Sequence, residues 1–69
     1  MQEIAISGAF IKLDALLKFA NLACSGGEAK ILIAEGQVQV NGETCTQRGK
    51  KIRPGDTVAL NGEAVRVIG

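Results

Sequence analysis

The chain has 69 residues, 46% of them apolar and two of them aromatic, and its eight basic and seven acidic residues leave a formal net charge of +1. That length allows one thin-cored domain, and that apolar fraction argues against disorder. The overall charge says little about partners, so the placement of the charges has to identify any partner, and no apolar run approaches the roughly 20 residues that span a bilayer.

The start, Met1-Gln2-Glu3, lacks the basic region of a secretory signal, so a cytoplasmic location is expected. Residues 2–6, Gln-Glu-Ile-Ala-Ile, alternate weakly and predict a short strand broken by Ser7-Gly8. From Lys12 the period changes. Leu13, Leu16, Leu17 and Ala20 stand at i, i+3, i+4 and i+7, one face of a helix. Asp14 suits its positive end, and Asn21 is placed to end it in a left-handed conformation.

Ser25 followed by Glu28 is a capping box, and Ala29, Leu32 and Ile33 continue as one face of a second helix. Gly36 marks its end. The link between the helices is short, which predicts a compact helical pair set at an angle.

After Gly36 the period becomes two. Val38 and Val40 point one way, Gln37 and Gln39 the other. Asn41-Gly42 predicts a type I′ hairpin, whose two central positions need positive φ, with Glu43 to Thr46 returning as the partner strand. Residues 47–53 read as a polar, basic connection, and Pro54-Gly55-Asp56 as a turn. Thr57 to Leu60, the turn Asn61-Gly62 and Ala64 to Ile68 complete a second hairpin. The two Asn-Gly-Glu triplets reflect one turn chemistry used twice rather than a repeat. The order is strand, helix, helix, then four or five strands, an α+β arrangement.

The chain carries little that resembles catalytic machinery. It has no histidine, the commonest general base, and its carboxylates are spread over helix starts and turns. Cys24 and Cys45 lack a Cys-x-x-Cys spacing and cannot make a zinc site between them. They are expected to be reduced, buried or half-buried thiols. No metal and no cofactor is expected. Gly26-Gly27 lacks the full phosphate-loop pattern. Those glycines either let the chain bend into the second helix or offer bare N–H groups to a single phosphate.

Arg48, Lys50, Lys51 and Arg53 are half of the basic residues, gathered within six positions with no acidic residue among them. Such a run is either a solvated loop or a phosphate-binding edge. Lys12 and Lys30, at the starts of the two helices, would extend that edge if both starts face the loop.

The segments Leu13-Asp14, Leu17, Ser25, Ala29-Lys30, Ile33, Gly36, Val38, Val40-Asn41-Gly42 and Gly55-Asp56 with Val58 resemble the S4 domain, the small RNA-binding domain named after ribosomal small-subunit protein four. "GQVQVNG" followed by "RPGD" carries most of the likeness, over about residues 12–60. With "SGGEAK" and "RGKKIRPGD", the chain is most similar to the short stand-alone YbcJ-like and YaaA-like members. The resemblance implies an αL motif, two short helices packed on a small antiparallel sheet of four to five strands. It also implies binding to structured RNA, ribosomal or transfer RNA, without catalysis, in ribosome assembly or translation; a monomer is expected. The family's basic positions fall on Lys12, Lys30, Arg48, Lys50, Lys51 and Arg53, and Ser25, Gly26 and Gly27 are the expected backbone or hydroxyl donors. Many members have Arg where this chain has Gly26, which removes one charged contact and favours the stand-alone subgroup.

With two Phe and no Tyr or Trp, recognition by shape and backbone is expected to outweigh base stacking. The alternative is a protein-interaction module whose basic loop docks an acidic partner, with an open sheet edge adding a strand. A ubiquitin-like carrier fits poorly, since the chain ends Val67-Ile68-Gly69 rather than in a Gly-Gly tail.

Overall fold

The computed structural model describes residues 1–69. The elements in chain order are β1 (Gln2–Ala5), β2 (Ile11–Lys12), α1 (Leu13–Phe19), α2 (Gly26–Ala34), β3 (Val38–Val40), β4 (Glu43–Thr44), β5 (Lys51–Ile52), β6 (Thr57–Leu60) and β7 (Glu63–Ile68). The α+β reading and the αL helix pair hold, with the two helices packed on a five-stranded sheet of order β1-β7-β6-β3-β4.

The sheet departs from the expected pattern at one edge. β3–β4, β3–β6 and β6–β7 are antiparallel, but β1 pairs with β7 in parallel, Ile4 opposite Val67, so the sheet is mixed. Tight turns force antiparallel pairing only on strands adjacent in sequence. β1 and β7 lie at opposite ends of the chain, and nothing in their residue pattern fixes a direction.

A second departure falls in the basic connection. Lys51–Ile52 is a strand, β5, which pairs antiparallel with β2 as a separate two-stranded sheet, Ile11 opposite Ile52 and Lys12 opposite Lys51. The reason is Ile52, a lone apolar residue among charges that is fully buried in the core. The returning strand β4 ends at Thr44 instead of Thr46, although Cys45 N–H still donates to the Val38 carbonyl at 2.9 Å.

The core lies between the helices and one face of the sheet. Leu13, Leu16 and Leu17 from α1, Ile33 from α2, and Val38, Val58, Val65 and Val67 from the sheet are all fully buried, while Gln39 and Arg66 project outward. Burial of such side chains stabilises by about 1.5–3 kcal/mol each before entropy is counted. No polar or charged residue is buried. Cys45 is half-buried against the core, Cys24 is exposed rather than buried, and both are free thiols. Cys24 sits in the link between the helices, outside the apolar face.

Both helices end alike. Asn21 (φ 60°) and Gly36 (φ 76°) take the left-handed position. After α1, Leu22 N–H reaches the Leu17 carbonyl and Asn21 N–H that of Lys18; after α2, Gln37 N–H reaches Leu32 and Gly36 N–H reaches Ile33. These are two Schellman motifs. Both hairpin turns are type I′, with positive φ at Asn41 and Gly42 and at Asn61 and Gly62. No helix is long and apolar enough to cross a membrane.

Candidate nucleic-acid interface

The first turn of a helix leaves amides without intrahelical acceptors. In α1 the N-cap position is Lys12, whose side chain makes no capping bond. The basic loop does the capping. Leu13 N–H donates to the Lys50 carbonyl at 2.9 Å, and Asp14 N–H to the Arg48 carbonyl at 3.1 Å. The loop backbone therefore turns its oxygens inward on α1, and the side chains of Arg48 and Lys50 are left exposed. The β2–β5 pair then sets Lys12 opposite Lys51. Like charges directly opposite in a ladder repel, so this pair concentrates positive charge at a cost to the ladder. Lys51 Nζ also lies 5.0 Å from the centroid of the Phe10 ring, a cation–π contact that restrains the ammonium.

Lys50, Lys51 and Arg53 line a polar groove of about 570 Å³ facing the first hairpin, with Asn41, Thr46 and Asp56 among its walls. Arg53 opens the turn Arg53-Pro54-Gly55-Asp56, a type II turn with Gly55 at φ 98° and Asp56 N–H bonded to the Arg53 carbonyl at 3.0 Å. Asp56 organises this region. Its Oδ2 accepts from Arg53 N–H at 2.9 Å and its Oδ1 from the Asn41 side-chain amide at 3.1 Å. Asn41 Oδ1 in turn accepts from Thr57 N–H at 2.9 Å. The Arg53 amide and the Asn41 amide hold the Asp56 carboxyl below its ordinary pKa, aided by the charges of Arg53 and Lys50 and opposed by partial burial.

At α2, Ser25 Oγ accepts from Glu28 N–H at 3.2 Å, while the Glu28 carboxylate reaches back to Cys24 N–H at 3.1 Å, one residue before the usual partner. Gly26 and Gly27 form the first turn in helical conformation, neither at positive φ. A Cβ at Gly26 would meet nothing within 4 Å, and one at Gly27 only Ser25 Oγ at 3.8 Å. A sharp bend is thus not what these glycines serve. Each costs a helix about 1 kcal/mol relative to Ala, and neither carries a side chain over its own amide at the start of α2. Lys30 is exposed one turn further along the face that Gly26 begins.

The expected residues therefore form three groups. Lys12 and Arg48 flank the start of α1, Lys50, Lys51 and Arg53 line the groove, and Ser25, Gly26, Gly27 and Lys30 mark the start of α2. The first two groups are tied by the capping bonds and the β2–β5 pair. The third approaches them across a cavity where Gly26 faces Asp14 and Lys18. The opposition of Lys12 and Lys51 and the Asn41–Asp56 bridge escape sequence reasoning. The signal for the first was Ile52 alone between two cations. No three His, Cys, Asp or Glu side chains come together as a metal site.

Two helices with Schellman ends, set on a small sheet beside a cationic loop that caps the first of them, define an αL-type module. The sequence model of the S4 domain matches residues 4–68, and the chain belongs to that family. YbcJ of Escherichia coli is 45% identical over 58 residues, covering 84% of this chain and 83% of that protein. RlbA of Bacillus subtilis, described as a probable ribosome maturation protein, is 41% identical over 59 residues, covering 86% and 83%. The solution structure of E. coli YbcJ, described for an αL motif involved in RNA binding, superposes with a TM-score of 0.77 at 38% identity, over 100% of this chain and 89% of that one. The 30S ribosomal protein S4e of Thermoplasma acidophilum superposes with a TM-score of 0.62 at 25% identity, over 84% of this chain and 30% of the larger protein.

Proposed function

We propose that this protein is a non-catalytic RNA-binding protein. It takes structured RNA, ribosomal or transfer RNA, along the edge formed by Lys12, Arg48, Lys50, Lys51 and Arg53, extended by Lys30 and the donors Ser25, Gly26 and Gly27. The contacts go mainly to phosphates, which position an RNA more than they specify it. The likeness to YbcJ and its αL motif supports RNA as the partner, and the likeness to RlbA supports a place in ribosome maturation. The observation that carries the reading is the register of Lys12 against Lys51, two exposed like charges held together by backbone pairing. That arrangement favours an external anion.

Fluorescence anisotropy with a folded ribosomal RNA fragment and a DNA duplex of similar length, each at two salt concentrations, tests this. Tighter binding to the RNA with a steep salt dependence is expected. In the double variant Lys50→Ala/Lys51→Ala, affinity should fall for every RNA, and the slope of log K against log salt should shrink by about 1.4–1.8, two phosphate contacts' worth. Unchanged affinity and slope would remove those two lysines from the interface. Absence of binding to either nucleic acid at low salt would reject the proposal in favour of an acidic protein partner, whose capture would survive nuclease treatment.

A further inference from the structure

Phe19 is 60% exposed at the end of α1, although it is one of only two aromatic residues. Its ring lines a cavity of about 500 Å³ together with Asp14, Ala15 and Lys18 of α1 and Gly26 of α2. Asp14 brings a carboxylate to this cavity, and its own amide is fastened to the basic loop at the Arg48 carbonyl. Its Oδ1 accepts from Ala15 N–H at 2.8 Å, which leaves most of its acceptor capacity unused. A carboxylate repels phosphate, so beside a phosphate-binding edge it calls for a partner rich in donors. The empty space at Gly26, required by neither φ nor packing, keeps the mouth of the cavity open.

A nucleobase meets all three features, with a π-face for Phe19, ring N–H donors for Asp14 and a carbonyl for Lys18. Lys18 stands one turn along from Asp14 on the same helix face. Guanine fits best, because its N1–H and N2–H groups are adjacent and match the two oxygens of one carboxylate, with O6 alongside for the ammonium. Sequence-specific RNA recognition works in this way, on unpaired bases splayed out of loops or bulges, stacked and read on the Watson–Crick edge.

Resting on the RNA-binding reading above, we propose that the cavity between α1 and the start of α2 takes one unpaired guanine of the bound RNA, stacked on Phe19 and read by Asp14. The scarcity of aromatic residues rules against a platform for successive bases, but one exposed ring serves one base.

The test uses RNA stem-loops with a uridine loop carrying guanine, inosine, cytosine or uridine at its centre, titrated against the full chain. The guanine hairpin should bind roughly tenfold tighter than the uridine one, and inosine, which lacks the N2 amine, should forfeit most of that gain. Asp14→Asn should level the hairpins while raising affinity for the uridine hairpin, because it removes a negative charge. A purely electrostatic role for Asp14 would raise all of them and keep their ratio. Phe19→Leu should weaken the guanine hairpin roughly tenfold with no change in salt slope, since stacking releases no counterions. The inosine comparison needs no variant and stands whatever the substitutions do to folding. Equal binding of all hairpins by the natural chain, or an unchanged ratio in Asp14→Asn, would overturn the guanine site while leaving phosphate binding intact. No binding to any hairpin at low salt would overturn both.

Discussion

The sheet side and the basic side of this molecule are stabilised by different means. In β3, β6 and β7 nearly every inward residue is Val or Leu with little or no exposure, and the two-residue turn Asn61-Gly62 joins β6 to β7. Around β2, β5 and the loop between Thr44 and Lys51, the buried apolar contribution shrinks to Ile52 and parts of Ile11 and Cys45, and geometry rests on backbone and side-chain hydrogen bonds. The first region can be rigid because it satisfies itself. The second keeps cations exposed by using its backbone, not its side chains, to cap α1. Stability and candidate function are therefore separable, and substitutions should show it.

The largest effect belongs to the core. Leu16 is fully buried on α1 beneath the site, and Leu16→Ala should cost about 2–5 kcal/mol. Urea denaturation at constant m-value measures it. For a chain of this size that is a large share of the total stability. A loss under about 1 kcal/mol would mean that α1 contributes less to the core than its burial indicates.

The two Asn-Gly turns form a matched pair across the two regions. Asn41 and Asn61 have nearly the same φ, 53° and 52°. Asn61→Ala gives up the left-handed preference alone and should cost about 1 kcal/mol. Asn41→Ala also removes the bonds to Asp56 and Thr57, and should cost roughly 1–2 kcal/mol more. Equal losses in parallel denaturation curves would show that the bridge between the hairpin and the Pro-Gly turn contributes nothing.

That pair also shows what the sequence makes legible. Helix faces, Schellman ends, the capping box and both type I′ turns are local, and each is written in a few neighbouring residues: Leu13, Leu16 and Leu17; Ser25 and Glu28; Asn41-Gly42. Features that need two distant segments are not written that way. β2 and β5 contribute two residues each, too few for a period, and exist only because Ile11 and Ile52 meet. The parallel direction of β1 against β7 has no local code either. For the candidate site, the identity of the basic residues could be read directly. Their spatial grouping and the capping of α1 by the loop could not, since carbonyl oxygens leave no mark on residue type.

Asp56 provides a smaller, pH-dependent effect. Its folded pKa lies below the unfolded value of about 3.9. Between the two, the unfolded chain binds more protons, so stability rises with pH. Its contribution is complete above the unfolded pKa and is lost as pH falls through the folded one. Asp56→Asn should flatten the stability profile in that acid window, while thermal unfolding near neutral pH still reports the lost charge contacts with Arg53 and Lys50. An unaltered acid limb in the variant would assign the acid sensitivity to other carboxylates.

The smallest effect on stability separates the two regions most clearly. Lys12→Ala removes one member of the opposed Lys12–Lys51 pair, whose repulsion costs at most about 1 kcal/mol. The fold should be unchanged or more stable by a few tenths of a kcal/mol, and the gain should fade in high salt as screening removes the repulsion. On the proposed interface, RNA affinity should fall at the same time by one phosphate contact's worth. Stability and binding moving in opposite directions is what a charge retained for an external anion requires. If Lys12→Ala lost stability and left RNA affinity untouched, Lys12 would be part of the fold and the basic edge would begin at Arg48.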